Sequence, residues 1–296
     1  MLKNNVFISC LLTSLSVLFI SMGCSANELG STYTITNIRL NSGASAIIEK
    51  PKCEARSAVL MIHGWSGQKD EVGGVFKTLA EQLRSHCIAS LRFDVRGESE
   101  HERSNYTITS TFESRVADAQ SGLDYLKTQY PSIPLSVLGF SLGGATAMEL
   151  VSTHPNAFDA MVLWSSSLNP NEIVTNVEYS KAIREALVKG KSQLNLWADF
   201  TLTREHIVGM LGYNPQRNLA QFNGHILGIR GTDDFLPAYE NAIFEVANAV
   251  TEDAYYLGGA DHIFHMLDPQ KSQKDKVINL TMQWLLQHVN NARVSE

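Results

Sequence analysis

Six short, almost wholly apolar runs, spaced along the chain and separated by amphipathic stretches, constrain this sequence most. They are Ala58-Val-Leu-Met-Ile62, Ile88-Ala-Ser-Leu-Arg-Phe93, Leu135-Ser-Val-Leu138, Ala160-Met-Val-Leu-Trp164, Ile226-Leu-Gly-Ile229 and Ala254-Tyr-Tyr-Leu257. A strand with one wet face alternates apolar and polar residues, whereas a continuous apolar run suits a strand covered on both faces, as in a parallel sheet. Between the runs the apolar spacing is helical. Val75, Phe76, Leu79 and Leu83 mark one helix, and Phe112, Val116, Ala119, Leu123 and Leu126 a second, with Ser110 and Glu113 read as its capping box. Val277 to Val289 closes the chain with another helix, and Pro237 suits the first turn of the one before it. Upstream, Thr32 to Leu40 alternates with period two, Asn41-Ser-Gly43 makes a turn, and Ala44 to Glu49 completes a β-hairpin. The expected fold class is therefore α/β: a doubly wound, mostly parallel sheet behind an N-terminal antiparallel hairpin.

One interval breaks the rhythm. About sixty residues separate Trp164 from His225, more than one helical crossover needs. Helical stretches at 172–189 and 203–211 lead us to read 168–223 as a small helical cap inserted over the C-terminal edge of the sheet, where ligands bind in such folds. Trp197, Phe200 and Tyr213 are its candidate pocket-lining side chains, or else its own small core.

The N-terminus has a different character. Lys3, an apolar stretch from Val6 to Ile20 and then Ser21-Met22-Gly23-Cys24 have the order of a secretory signal peptide, with an apolar core too short to span a bilayer comfortably. We expect a leader at 1–23, a tether at 24–30 and a folded α/β domain, cap included, at 31–296. Gly23-Cys24 makes Cys24 a candidate lipidation site and the protein a periplasmic-side or outer-membrane lipoprotein. A cut after Ala26, leaving a soluble periplasmic or secreted protein, is the alternative. Setting aside Cys10 and Cys24, the chain keeps Cys53 and Cys87, an even pair that an oxidising compartment could join. The net charge of −6 and the lack of a Lys/Arg cluster give nucleic acid no electrostatic footing.

Chemistry concentrates in three places. Gly139-Phe-Ser141-Leu-Gly143 is a G-x-S-x-G string directly after one apolar run and directly before a helix rich in small residues. As a bare string it is common; in that setting it is a nucleophile elbow, with Ser141 lifted above the sheet at a helix N-terminus. Serine needs a base, and the base an acid. Two downstream strands run into Gly231-Thr-Asp233-Asp234 and Gly258-Gly-Ala-Asp261-His262. His262 is the candidate base, with His265 in reserve. The candidate acid is Asp234 or its neighbour Asp233. Oxyanion stabilisation needs two backbone N–H groups, for which Leu142 and the His63-Gly64-Trp65 turn, Trp65 in particular, are candidates. No zinc-type His or Cys spacing and no dinucleotide fingerprint occurs, so no cofactor or metal is expected.

His63-Gly64-Trp65, Arg92-Phe-Asp94-Val-Arg96-Gly97, Gly139 to Gly144, Gly231-Thr-Asp-Asp234 and Ala260-Asp-His262 recur in an order that resembles the α/β-hydrolase superfamily. Within it, the bacterial cinnamoyl/feruloyl esterase-like serine hydrolases are the closest pattern. The resemblance runs from Ser57 to the C-terminus. It implies a carboxylic ester substrate, an acyl-enzyme on Ser141, an oxyanion hole from Trp65 and Leu142, and the third residue after Gly231, Asp234, as triad acid. It also places the strands after Cys53 and Cys87 side by side, which permits a disulfide. Where such relatives carry a second glycine two residues beyond Gly97, this chain reads Gly97-Glu-Ser-Glu100. A peptidase or lipase on the same triad, or a non-catalytic binding protein on a hydrolase scaffold, are the rival readings.

Overall fold

The computed structural model describes residues 33–98 and 104–289. The leader, the tether and Cys24 lie outside them. Among the described residues no helix is long and apolar enough to cross a membrane.

In chain order the elements are β1 (Thr34–Arg39), β2 (Ser45–Lys50), β3 (Ser57–Ile62), α1 (Val75–Ser85), β4 (Ile88–Phe93), β5 (Ser104–Ile108), α2 (Phe112–Gln129), β6 (Leu135–Phe140), α3 (Leu142–Thr153) and β7 (Ala160–Trp164). There follow α4 (Asn171–Thr175), α5 (Ser180–Lys189), β8 (Lys191–Asn195), β9 (Asp199–Thr203), α6 (Arg204–Gly209), β10 (His225–Gly231), α7 (Glu240–Val246), β11 (Thr251–Leu257) and α8 (Lys274–His288). Eight strands form one sheet in the order β1-β2-β4-β3-β6-β7-β10-β11. The first two pairings are antiparallel, as the hairpin reading expects, and the rest are parallel. From β3 the chain builds outward to β4, then crosses back to lay β6 on the other side. That reversal puts the topological switch point at the C-terminal ends of β3 and β6, the position where open α/β sheets bind ligands.

The apolar runs explain the layers. β3, β4, β6 and β7 are buried along their whole length, because helices cover both faces. One apolar cluster gathers Leu60, Leu91, Phe112, Leu123 and Val137 on one side, and another gathers Val59, Phe76, Leu138, Trp164 and Val277 on the other. β11 departs from the expectation: it is an edge strand, and Tyr255 and Tyr256 are exposed. An edge strand has one neighbour and less cover, so its aromatic residues serve as partly wet surface.

Three local expectations need correction. The capping box of α2 is Thr111 with Ser114, whose side chains and backbone N–H groups pair reciprocally; the Ser110 hydroxyl instead donates to buried Glu98. Pro237 precedes α7 by three residues rather than opening it. The segment between β7 and β10 is not purely helical: β8 and β9 form a hairpin, and β9 pairs in parallel with β5 in a second, three-stranded sheet. The period-two burial of Lys191-Ser-Gln-Leu-Asn195 is the signal of that hairpin. β5 shows itself only through its partner.

Cys53 and Cys87 are joined by a disulfide, with Cα atoms 5.6 Å apart. Both cysteines precede paired strands, with Ser57 opposite Ile88 in the register.

Candidate active site

The elbow is a steric construction. Ser141 sits between β6 and α3 with φ 53° and ψ −120°, a conformation that non-glycine residues adopt only when their surroundings enforce it. The enforcement comes from close approach on both sides. A Cβ on Gly139 would lie 2.3 Å from the Gly143 carbonyl oxygen, and one on Gly143 would lie 2.1 Å from that of Ile62. Side chains at either position would push β6, α3 and β3 apart. The backbone of Ser141 is pinned as well, since its N–H donates to Trp164 O at 2.9 Å and its carbonyl accepts from Ser167 N at 3.0 Å. Leu142 is the first residue of α3, so its N–H has no acceptor within the helix.

The loops after β6, β10 and β11 bring three side chains into line. Ser141 Oγ lies 2.9 Å from His262 Nε2, and His262 Nδ1 lies 2.7 Å from Asp234 Oδ1. With the Nδ1 proton donated to Asp234, Nε2 is free to accept from the serine. Asp233 points elsewhere. Its carboxylate accepts from Thr232 Oγ1 at 3.2 Å and is exposed. His265 is tied to its own loop through Gly259 O and Asp261.

The Asp234 side chain is almost completely buried, and its charge is well compensated. Oδ1 also accepts from Leu236 N at 2.9 Å, and Oδ2 accepts from Arg230 Nη1 at 2.8 Å. Burial alone would push its pKa up; the hydrogen bond and charge of His262, the Leu236 amide and Arg230 outweigh it and hold the carboxyl below its ordinary value. Arg230 is itself buried between partners, donating to Glu240 Oε1 at 2.8 Å and to Ser166 O at 2.6 Å. Arg230 and Glu240 are absent from the motif reading. Their one sequence signal is a cation ending an apolar run, immediately before Gly231-Thr-Asp-Asp.

The turn after β3 rests on a second buried polar network. Glu71 accepts from Gly64 N at 2.7 Å, and Glu98 accepts from Ser66 N at 3.0 Å. The Trp65 N–H lies between these two anchored amides. Glu98 pairs with Arg115, and neither side chain is exposed. Burial would raise the pKa of Glu98, but Arg115 and the nearby histidines hold it at about 2. Arg115 also donates to His63 O at 2.8 Å. His63 receives Val95 N at Nε2, and burial followed by the Arg115 charge lowers its pKa to about 4, so it is neutral. Glu98, the residue after Gly97, thus places a carboxylate under the turn.

The Trp65 side chain points into the segment between β7 and β10. Its indole donates to His206 Nε2 at 3.1 Å and packs among Tyr179, Trp197 and Phe200, with ring centroids within about 6 Å. His206 donates from Nδ1 to Ser110 O at 2.7 Å, and burial lowers its pKa. Of the three aromatic residues singled out in the sequence, Phe200 is fully buried in this cluster and Tyr213 packs on Phe112, whereas Trp197 is 56% exposed. Among the described residues no group of three His, Cys, Asp or Glu side chains could hold a metal ion.

Comparison with known proteins agrees with this architecture. Monoglyceride lipase of Mus musculus is 26% identical over 50% of the chain and 52% of its own length, so the chain spans about half of that relative. The Homo sapiens monoglyceride lipase is 23% identical over 82% of the chain and 86% of its own length. Among solved structures, Est1E from Butyrivibrio proteoclasticus with ferulic acid bound superposes with a TM-score of 0.65 at 17% identity, covering 86% of this chain and 99% of that one. A family model described as serine aminopeptidase, S33, matches residues 53–222, more than half of the chain and including Trp65 and Ser141. The chain therefore belongs to the serine aminopeptidase S33 family and has the α/β-hydrolase fold.

Proposed function

We propose that this protein hydrolyses carboxylic esters through an acyl-enzyme on Ser141, with His262 as general base and acid and Asp234 as the acid that orients it. The continuous line of hydrogen bonds from Ser141 Oγ through His262 to buried Asp234 carries the reading. As Ser141 Oγ attacks the carbonyl carbon, its proton passes to His262 Nε2, and Asp234 stabilises the imidazolium. The carbonyl oxygen, now negative, is received by the N–H groups of Leu142 and Trp65, an arrangement supported by the helix start at Leu142 and the two carboxylates that anchor the amides flanking Trp65. His262 then protonates the departing alcohol. Water repeats the sequence to release the acid. No cofactor enters these steps.

The curated relatives' name, monoglyceride lipase, supports monoacyl esters as substrates, while the family's description as an aminopeptidase favours a second reading, amide cleavage on the same residues. A fluorophosphonate probe, followed by paired ester and anilide substrates of one acyl group, tests both. We expect labelling of the wild type, none of Ser141→Ala, and turnover of the ester far above that of the anilide. Labelling of the variant at the wild-type rate would move the nucleophile elsewhere. Absence of any wild-type labelling would favour a binding protein on this scaffold.

We further propose that residues 1–23 direct export and that Cys24 carries a lipid, which leaves the domain on the periplasmic side or at the outer membrane. The leader-like order of the N-terminus supports this, as does a disulfide within the domain. Metabolic labelling with a palmitate analogue, lost in Cys24→Ala, is the test.

A further inference from the structure

Phe235 is an exposed aromatic residue beside the reacting atoms. It directly follows Asp234, is 67% exposed, and its ring centroid lies 4.4 Å from that of His262. On Phe140 the imidazole has a second aromatic neighbour, at 5.4 Å, and that ring is buried. The imidazole thus has one aromatic neighbour that belongs to the core and one that faces solvent. Burial does not keep Phe235 where it is. The backbone does, because Asp234 Oδ1 accepts from Leu236 N at 2.9 Å and Arg230 holds the other oxygen.

We propose that Phe235 forms one wall of the subsite for the ester's alcohol portion and favours alcohols that carry an apolar or aromatic group near the ester oxygen. The inference rests on the ester-hydrolase reading and adds the class of leaving group to it. In the first half-reaction the Ser141 Oγ–acyl bond forms. The tetrahedral intermediate then collapses, the bond from the acyl carbon to the alcohol oxygen breaks, and that oxygen keeps the electron pair and takes the proton from His262 Nε2. A proton moves so only within hydrogen-bond reach, about 3 Å. The first carbons of the alcohol are therefore held against the imidazole, which Phe235 flanks. The acyl carbonyl oxygen is directed at the amides of Leu142 and Trp65, so the ring reads the alcohol and not the acyl chain. A polyol such as glycerol gains little from an exposed aromatic face, whereas a benzyl group buries apolar area against it.

The test compares benzyl butyrate with methyl butyrate, and methyl butyrate with methyl acetate, on the wild type, Phe235→Ala and Phe235→Leu. In Phe235→Ala the benzyl-to-methyl ratio of kcat/KM should fall about tenfold, the scale of a lost apolar contact in a specificity pocket. Phe235→Leu should recover part of that loss, and the butyrate-to-acetate ratio should stay within about twofold. An unchanged benzyl-to-methyl ratio in Phe235→Ala would overturn the subsite and leave the esterase reading standing, as would an equal fall in the acyl ratio. Wild-type protein that turned over none of these esters would overturn both.

Discussion

Arg230 donates to Asp234 Oδ2 at 2.8 Å, the carboxylate oxygen that His262 does not use. One buried cation thereby fixes the plane of the carboxylate and, through Glu240 and Ser166 O, ties the β10 loop to α7 and to the backbone beside the elbow. Removing it leaves Asp234 and Glu240 buried without their cation. Arg230→Gln should lose about 3–5 kcal/mol of stability in urea unfolding. Arg230→Lys keeps the charge without the planar fork, so it should retain more stability than the glutamine variant but fall well short of wild-type kcat.

Asp234 and Asp233 are adjacent, and only one faces the imidazole. Asp234→Asn replaces the acceptor that holds the His262 tautomer and should cost about 10⁴ in turnover. Asp233→Asn removes only an exposed charge and leaves an oxygen for Thr232 to donate to, so it should stay within several-fold of wild type. Assayed together by ester hydrolysis, a dead Asp233 variant would reverse the assignment.

His63 gives a pH dependence of stability. Its folded pKa, about 4, lies below the ordinary 6.5. The unfolded chain therefore binds the extra proton first as pH falls. Stability from this group is complete above pH 6.5 and is lost between 6.5 and 4, in total on the order of 3 kcal/mol. Glu98, lowered from 4.5 to about 2, adds a second loss of the same sign between pH 4.5 and 2. Urea midpoints measured from pH 7.5 to 4 should decline, and His63→Gln should flatten the upper part of that decline.

The disulfide encloses β3, the Trp65 turn and α1, its cysteines 34 positions apart in sequence. Closing a loop of that length stabilises a fold by roughly 4 kcal/mol, chiefly by restricting the unfolded chain. The Cys53→Ser/Cys87→Ser double variant should unfold at correspondingly lower urea. Reductant should shift the wild type toward the variant and leave the variant unmoved.

The elements that could be read from the chain are those whose signal is local. Ala58 to Ile62 is apolar along its length because both faces of β3 are covered, and Val75, Phe76, Leu79 and Leu83 repeat because one side of α1 is buried. The β8–β9 hairpin is masked in the sequence because the spacing on both sides of it is helical and its alternation covers only five residues. β5 carries a weak pattern of its own and pairs with a strand almost a hundred residues away.

The site divides along the same line. Gly139, Ser141 and Gly143 are determined by their own sequence, because a strand-to-helix turn with backbones this close admits no side chain at its flanking positions. The order of serine, acid and histidine along strand-ending loops is also a property of the chain. What only tertiary structure decided is direction and partnership. Asp234 rather than Asp233 meets His262 because the loop after β10 turns it there and Arg230 holds it. Glu98 pairs with Arg115 beneath the Trp65 turn, and Phe235 flanks the imidazole. Each of these joins residues distant in sequence, or selects one of two neighbours by where its side chain points. Local pattern carries no such information, because the energies that decide it arise only once burial removes water from the groups that pair.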